Sequence, residues 1–166
     1  MPWLSIVLPV YNVAAHVERC IASCLAQDVD DFEMIFVDDC GQDESMSIVR
    51  HHAAQDGRIK IVSNPRNEGT FGARRAGAFA ARGDYVFFLD PDDALPAGGL
   101  ERLLSAVRGA GGACDLILSR IEVVPKARCI STKIVLPASC GYPDILPRMF
   151  LESSHFNLGT PGKIYG

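Results

Sequence analysis

Apolar and polar positions along this chain fall into alternating short and long periods. Residues 4–10, LSIVLPV, are a β-branched, apolar run closed by Tyr11 and Asn12, too short for a helix and fitting a central strand. In residues 14–27, Val17, Cys20, Ile21, Cys24 and Leu25 recur at three- and four-residue spacings, which predicts an amphipathic helix. The unit then repeats in kind. Residues 33–37, EMIFV, predict a second strand ending on Asp38 and Asp39, and Cys40 to Asp43 supply a turn and an N-cap for a helix over 43–55, stopped by Gly57. A short third strand, 59–62, precedes the breaker Asn64-Pro65-Arg66-Asn67 and a small-residue helix from Gly69 to about Arg82. Gly83 and Asp84 then turn the chain into DYVFFLDPDD, residues 84–93, an aromatic run that stops on Asp90, Asp92 and Asp93.

Later segments predict a helix over 96–108, a fifth strand over 115–118, a β-hairpin from Ile121 to Leu136 and a helix over 142–153. No internal repeat, low-complexity tract or linker divides the chain, so residues 1–166 are expected to form a single domain. Alternating strands and helices imply an α/β fold whose mainly parallel sheet is flanked by helices on both faces. Such sheets bind ligands outside the carboxyl ends of their strands. There stand Tyr11-Asn12 after the first strand, Asp38-Asp39 after the second and the three acids after the fourth.

Composition narrows the function classes. A chain of 166 residues, 48% hydrophobic and 22% charged, has the make-up of an ordinary globular domain. Its net charge of −4 and the scatter of its 16 basic residues leave no electrostatic footprint for nucleic acid. No apolar run approaches the roughly 20 residues that span a bilayer, and the N-terminal MPWLSIVLPVYN has no basic leader or cleavage site, so a cytoplasmic location is expected. The six cysteines form no CxxC pair and have no ligand-spaced histidines, which points to reduced, unliganded thiols.

The acids offer two readings on their own. Closely spaced carboxylates repel one another and take a cation, a shared proton or full solvation. A hard divalent ion such as Mg²⁺ or Mn²⁺ would use one or two of them, with waters and substrate phosphates completing the shell. The other reading is a solvated turn in which Asp92 or Asp93 caps the helix that follows. An EF-hand beginning at Asp90 fails, because its sixth position is Leu95 where the turn needs glycine.

Together, SIVLPVYN, FVDDCGQD, NEGTFGARRAG and DYVFFLDPDD resemble, in that order, the nucleotide-sugar-binding half of a family 2 glycosyltransferase with the GT-A (Rossmann-like) fold. The resemblance covers about residues 4–120, and the closing GTPGKIYG is similar to a segment preceding the acceptor-side catalytic motif. It implies that Pro9, Tyr11 and Asn12 line the nucleotide pocket and that Asp38, Asp39 or both bind base and ribose, as a carboxylate can accept the N3–H of uracil. For Asp38 and Asp39 a turn and a helix cap are the plainer alternative. Asn67 and Arg74 are placed at the nucleotide-sugar by the same likeness, while Arg75 stands where asparagine is commoner. Asp90 and Asp92 match the family's DxD motif with Asp93 beside it: Asp90 would contact ribose or donor sugar, and Asp92, with Asp90 and Asp93, would hold Mg²⁺ or Mn²⁺ as cofactor.

The implied reaction is transfer from a nucleotide-diphospho-sugar, a UDP-sugar, to a hydroxyl of a saccharide or lipid-linked acceptor, with inversion and a carboxylate general base. The motif supplying that base is expected shortly past Gly166. Hence a fragment or a naturally short member is expected, with any membrane association residing in segments outside this sequence. A nucleotide-sugar-binding module without transfer is the alternative. A nucleotidyltransferase is disfavoured, since its glycine-rich, arginine-containing loop is replaced by Pro9-Val10-Tyr11-Asn12.

Overall fold

The computed structural model describes residues 1–109 together with the strand segments 116–118, 121–122, 129–130 and 163–165. In chain order the elements are β1 (Leu4–Val10), α1 (Ala14–Leu25), β2 (Phe32–Asp38), α2 (Ser45–Ala53), β3 (Ile59–Ser63), α3 (Gly69–Ala80), β4 (Tyr85–Phe88), α4 (Gly99–Gly109), β5 (Leu116–Leu118), β6 (Ile121–Glu122), β7 (Cys129–Ile130) and β8 (Lys163–Tyr165).

Strand order in the main sheet is β3-β2-β1-β4-β8-β5. The first four are parallel, and β8 runs antiparallel between β4 and β5. Chain order reverses at β1, which lies between β2 and β4, so this is the topological switch point at which open α/β sheets form their ligand crevice.

The two-residue period of β1 divides the core. Leu4, Ile6, Leu8 and Val10 face Val17, Cys20, Ile21 and Cys24 of α1, Met46 and Val49 of α2, and Leu100 of α4. Val7 faces the other way with Ile35, Val37, Val86 and Phe88, against Ala73 and Ala78 of α3. Helices therefore cover both faces, as expected. The small residues of α3 have a steric cause: a Cβ on Gly77 would sit 2.3 Å from Val7 Cγ1 and 3.0 Å from Val37 Cγ2. The helix lies too close to the sheet for anything larger.

Several boundaries differ from expectation. Helix α2 starts at Ser45 with Glu44 at its N-cap and no side-chain cap, and it ends at Ala53, before Gly57. Asp43 is not its cap: Oδ1 accepts the Ser45 amide, and Oδ2 accepts the Ala14 amide at the start of α1. Val13 N–H donates to Ser45 Oγ, so the entry to α2 satisfies donors at the start of α1. Likewise neither Asp92 nor Asp93 caps the next helix, since α4 begins at Gly99 and the Asp93 amide closes a turn onto Asp90 O. The fifth strand is present at β5. Of the expected hairpin, β6 and β7 pair antiparallel with Ile121 opposite Ile130. Its remainder, and the helix expected over 142–153, lie outside the described residues.

Candidate active site

At the carboxyl ends of β1, β2 and β4 a cleft of about 290 Å³ is lined by Pro9, Tyr11, Val13, Asp39, Thr70, Asp90, Pro91 and Asp92. Of the residues the sequence singles out, Pro9, Tyr11, Asp39, Asp90 and Asp92 thus meet there. Asn12, Asp38, Asn67, Arg74 and Asp93 are not on its wall, and each has another place.

Behind the cleft, the chain after β1 and β2 is bent sharply. Asn12 has φ 53° and Cys40 has φ 63°, both in the left-handed region that non-glycine residues seldom enter. Side chains hold these bends: Asn12 Oδ1 accepts the Gln42 amide at 2.8 Å and Asp38 Oδ1 accepts the Cys40 amide at 3.1 Å. Gly41 fits between them, where a Cβ would come within 2.9 Å of the Asn12 nitrogen. Asp38 also faces Arg50 at 3.4 Å. The Asp-Asp pair therefore splits, Asp38 serving its own turn and Asp39 reaching the cleft.

Asp39 is buried, and its Oδ1 accepts from Asn64 Nδ2 at 2.7 Å and from the Glu68 amide at 2.9 Å. This single carboxylate ties the end of β2 to the entry of α3. Asn67 lies on that entry, where its Oδ1 accepts the Gly69 amide, and it lines a separate hollow with Arg66, Glu68, Phe71, Gly72 and Arg75. The arginines differ as sharply. Arg74 is 3% exposed and pairs with Asp90 Oδ1, whereas Arg75 is exposed and meets Glu68 Oε2 at 3.3 Å.

What remains at the mouth is negative. The Arg74 guanidinium offsets the Asp90 charge, leaving Asp92 exposed and Asp93 half-buried. Burial pushes the Asp93 carboxyl above the usual range, with Asp92 and then Asp90 adding to the rise and Arg19 opposing it. Beneath the turn, hydrogen bonding to Cys24 and burial push the Cys20 thiol far up; Cys20, Cys24 and Cys40 are free thiols. Among the described residues no three His, Cys, Asp or Glu side chains converge as a ready-made metal cage. The donor set instead suits a hard ion that takes one or two carboxylate oxygens and completes its shell with water and phosphate. Residues the sequence reading missed are Val13, Thr70 and Pro91 on the wall and Arg19 beneath it. Pro91 and Thr70 stood inside quoted motifs and Val13 beside one, whereas Arg19 stood next to no signal.

Comparison with known proteins bears on the family and the fold. An uncharacterised glycosyltransferase of Haemophilus influenzae is 35% identical over 138 residues, covering 78% of this chain and 55% of its own length. A beta-1,3-glucosyltransferase of Campylobacter jejuni named for a GalNAc(5)-diNAcBac-PP-undecaprenol substrate is 37% identical over 63% of this chain and 34% of its own. The chain thus spans about half, or less, of the length of these relatives. Among solved structures, TarS 1-349 of S. aureus superposes with a TM-score of 0.75 at 23% identity, covering 99% of this chain and 47% of TarS 1-349, and it has also been solved with UDP-GlcNAc. A Pyrobaculum calidifontis mannosyltransferase, in complex with GDP-Man and Mn²⁺, gives 0.64 at 24% identity, with coverages of 74% and 36%. The profile described as Glycosyl transferase family 2 matches residues 5–128, and the chain belongs to that family.

Proposed function

We propose that this chain forms the donor-binding part of an enzyme that moves a sugar from a nucleotide-diphospho-sugar, a UDP-sugar, to a hydroxyl of a saccharide or lipid-linked acceptor, with inversion, in surface polysaccharide or glycolipid synthesis. The observation that carries the reading is the cleft at the switch point, where Tyr11, Asp39, Asp90 and Asp92 from three strand ends share one wall. Support comes from relatives named for glycosyl transfer and from structural neighbours bound to UDP, UDP-GlcNAc or GDP-Man.

In this reading the exposed Tyr11 ring offers a face to the base, and Asp39, already fixed by Asn64 and the Glu68 amide, accepts the uracil N3–H. Asp90, held by Arg74, takes a sugar hydroxyl. Asp92, with Asp93 beside it, would hold Mg²⁺ or Mn²⁺ together with the diphosphate. Such an ion, when bound, offsets the charge that grows on the departing nucleoside diphosphate. Because Asp90 is already paired, Asp92 and Asp93 are the acids with charge to offer a cation. Asn12, Asp38 and Arg74 act from behind, by fixing the loops that carry the wall. Asn67 acts through the turn into α3.

Among the described residues no helix is long and apolar enough to cross a membrane. In this reading a lipid-linked acceptor is met at the cytoplasmic membrane face. The test is calorimetric titration of UDP with and without Mn²⁺. Micromolar to millimolar binding that strengthens with Mn²⁺ and is lost in Asp92→Ala is expected, whereas a native chain blind to millimolar UDP ends the donor reading. Binding of UDP-sugar without transfer or donor hydrolysis would identify a binding module in place of a transferase.

A further inference from the structure

Residues 90–98 carry the acids yet contain no helix or strand, so their backbone is fixed largely by contacts from outside the segment. Helix α1 does so with side chains spaced four residues apart, on one face of the helix. Arg19 Nη2 donates to Asp92 O at 2.6 Å. Ser23 Oγ accepts the Leu95 amide at 3.0 Å. Gln27, 6% exposed just past the helix end, uses both ends of its amide: Nε2 donates to Pro96 O at 3.1 Å and Oε1 accepts the Leu100 amide at 3.1 Å. From the other face of the sheet, Arg74 of α3 grips Asp90 Oδ1. Between the two grips the Asp93 amide closes the turn onto Asp90 O at 2.9 Å.

We infer that Arg19, Ser23 and Gln27 form a polar rail along α1 and the residues just past its end that fixes the backbone of residues 92–100 and so sets the direction in which Asp92 and Asp93 present their carboxylates to a diphosphate and its cation. They are positioning residues of the acidic mouth. Arg19 contributes most directly, because it binds the carbonyl of Asp92 itself and leaves that residue's carboxylate open. Gln27 fixes the far end of the segment, and Ser23 its middle. Groups that only orient a metal-binding side chain are worth roughly 10-fold to 100-fold in affinity in known sites. The inference takes its ligand from the donor-site reading above, while the rail itself does not depend on it.

The experiment uses Arg19→Met, which keeps the aliphatic stem at an exposed position, with Arg19→Lys as the conservative rescue. Calorimetry is done with Mn²⁺ plus UDP and, as a control that bypasses the acids, NMR titration with uridine. In parallel, amide exchange of Asp93 and Leu95 is followed in the ligand-free protein. Arg19→Met is expected to weaken Mn²⁺–UDP roughly 10-fold, to leave uridine affinity and the exchange of β1 unchanged, and to speed Asp93 exchange; Arg19→Lys recovers part of each. Ser23→Ala is expected to speed Leu95 exchange and weaken Mn²⁺–UDP by a smaller factor. Native Mn²⁺–UDP affinity in Arg19→Met overturns the inference, as does an equal loss of uridine affinity. Should the native chain bind neither UDP nor Mn²⁺, the donor reading falls and exchange alone decides: faster Asp93 exchange in Arg19→Met upholds the rail, and native exchange overturns it.

Discussion

At the amino ends of β1 and β2, Glu33 Oε1 accepts the Ser5 hydroxyl at 2.7 Å and the Arg82 amide at 2.8 Å, and Ser5 Oγ accepts the Gly83 amide at 2.9 Å. At the carboxyl ends, Asp92 stands exposed beside Asp93, whose proton is held more tightly than usual. Glu33 and Ser5 are buried, and their polar atoms hold the turn from α3 into β4. The same sheet thus closes one end with a carboxylate that is used up and leaves carboxylates free at the other. A carboxylate's role here follows from what it already binds, and only the free ones have a full charge to offer a cation.

The sharpest way to break this contrast is to remove a carboxylate that is used. Asp90→Ala removes the carboxylate that grips Arg74, whose side chain is 4% exposed, and should lower unfolding stability by about 3 kcal/mol. Urea denaturation measures it, and a loss below about 1 kcal/mol would mean that the pair is mostly solvated. Next in size is Glu33→Ala at the closed end. Loss of its acceptor oxygen leaves the Ser5 hydroxyl without its acceptor and the Arg82 amide with only Ser5 Oγ at 3.2 Å, for about 2 kcal/mol, with UDP affinity unchanged. Weakened UDP binding in that variant would show that the two ends are coupled.

Much of the frame was legible in the sequence, and the contrast between its ends was not. β-Branched and aromatic runs marked β1 to β4, and the small residues after Gly69 marked a helix, though not how closely it lies on Val7 and Val37. Each acid's fate depends on partners far along the chain. Asn64 and the Glu68 amide reach Asp39 from 25 and 29 residues away, and Arg74 reaches Asp90 from 16. The rail acts across 73, 72 and 69 residues through Arg19, Ser23 and Gln27; their four-residue spacing is visible in the sequence, but the distant backbone groups they bind are not. Lys163–Tyr165 is too short to read as a strand by itself and becomes one only by pairing between β4 and β5. Asp43 had the right residue type for a cap but stands one residue early, before the N-cap Glu44: one oxygen takes the Ser45 amide that opens α2, and the other goes to α1.

Acid titration sharpens the comparison with smaller effects of opposite sign. Asp56, at the turn into β3, is held below the usual carboxylate range chiefly by its hydrogen bonds from Arg58. Its stabilisation is present above the unfolded-state value near pH 4 and is lost as pH falls through the lower folded value. Asp93 is raised, so its ionisation opposes folding at neutral pH, and that penalty disappears as pH falls through its folded value toward about pH 4. Asp56→Asn should therefore flatten the acid side of the stability curve, and Asp93→Asn should raise stability at pH 7 but not at pH 3. Thermal unfolding across pH 3–7 reads both, and a stability loss at pH 7 in Asp93→Asn would contradict the free-carboxylate picture.

The smallest change in stability belongs to the residue with the largest expected role. Asp92 is exposed, its carboxylate makes no hydrogen bond or ion pair among the described residues, and Arg19 binds its backbone carbonyl, which Asp92→Ala retains. Stability should then move by no more than about 0.5 kcal/mol, while Mn²⁺-dependent UDP affinity is lost. Both are read from one protein preparation, by urea denaturation and by calorimetry. A variant that loses stability as Asp90→Ala does would place Asp92 with the used carboxylates. The open end of the sheet would then have no acid to spare for a cation, because Asp93 alone, half-buried and reluctant to ionise, is the poorer ligand.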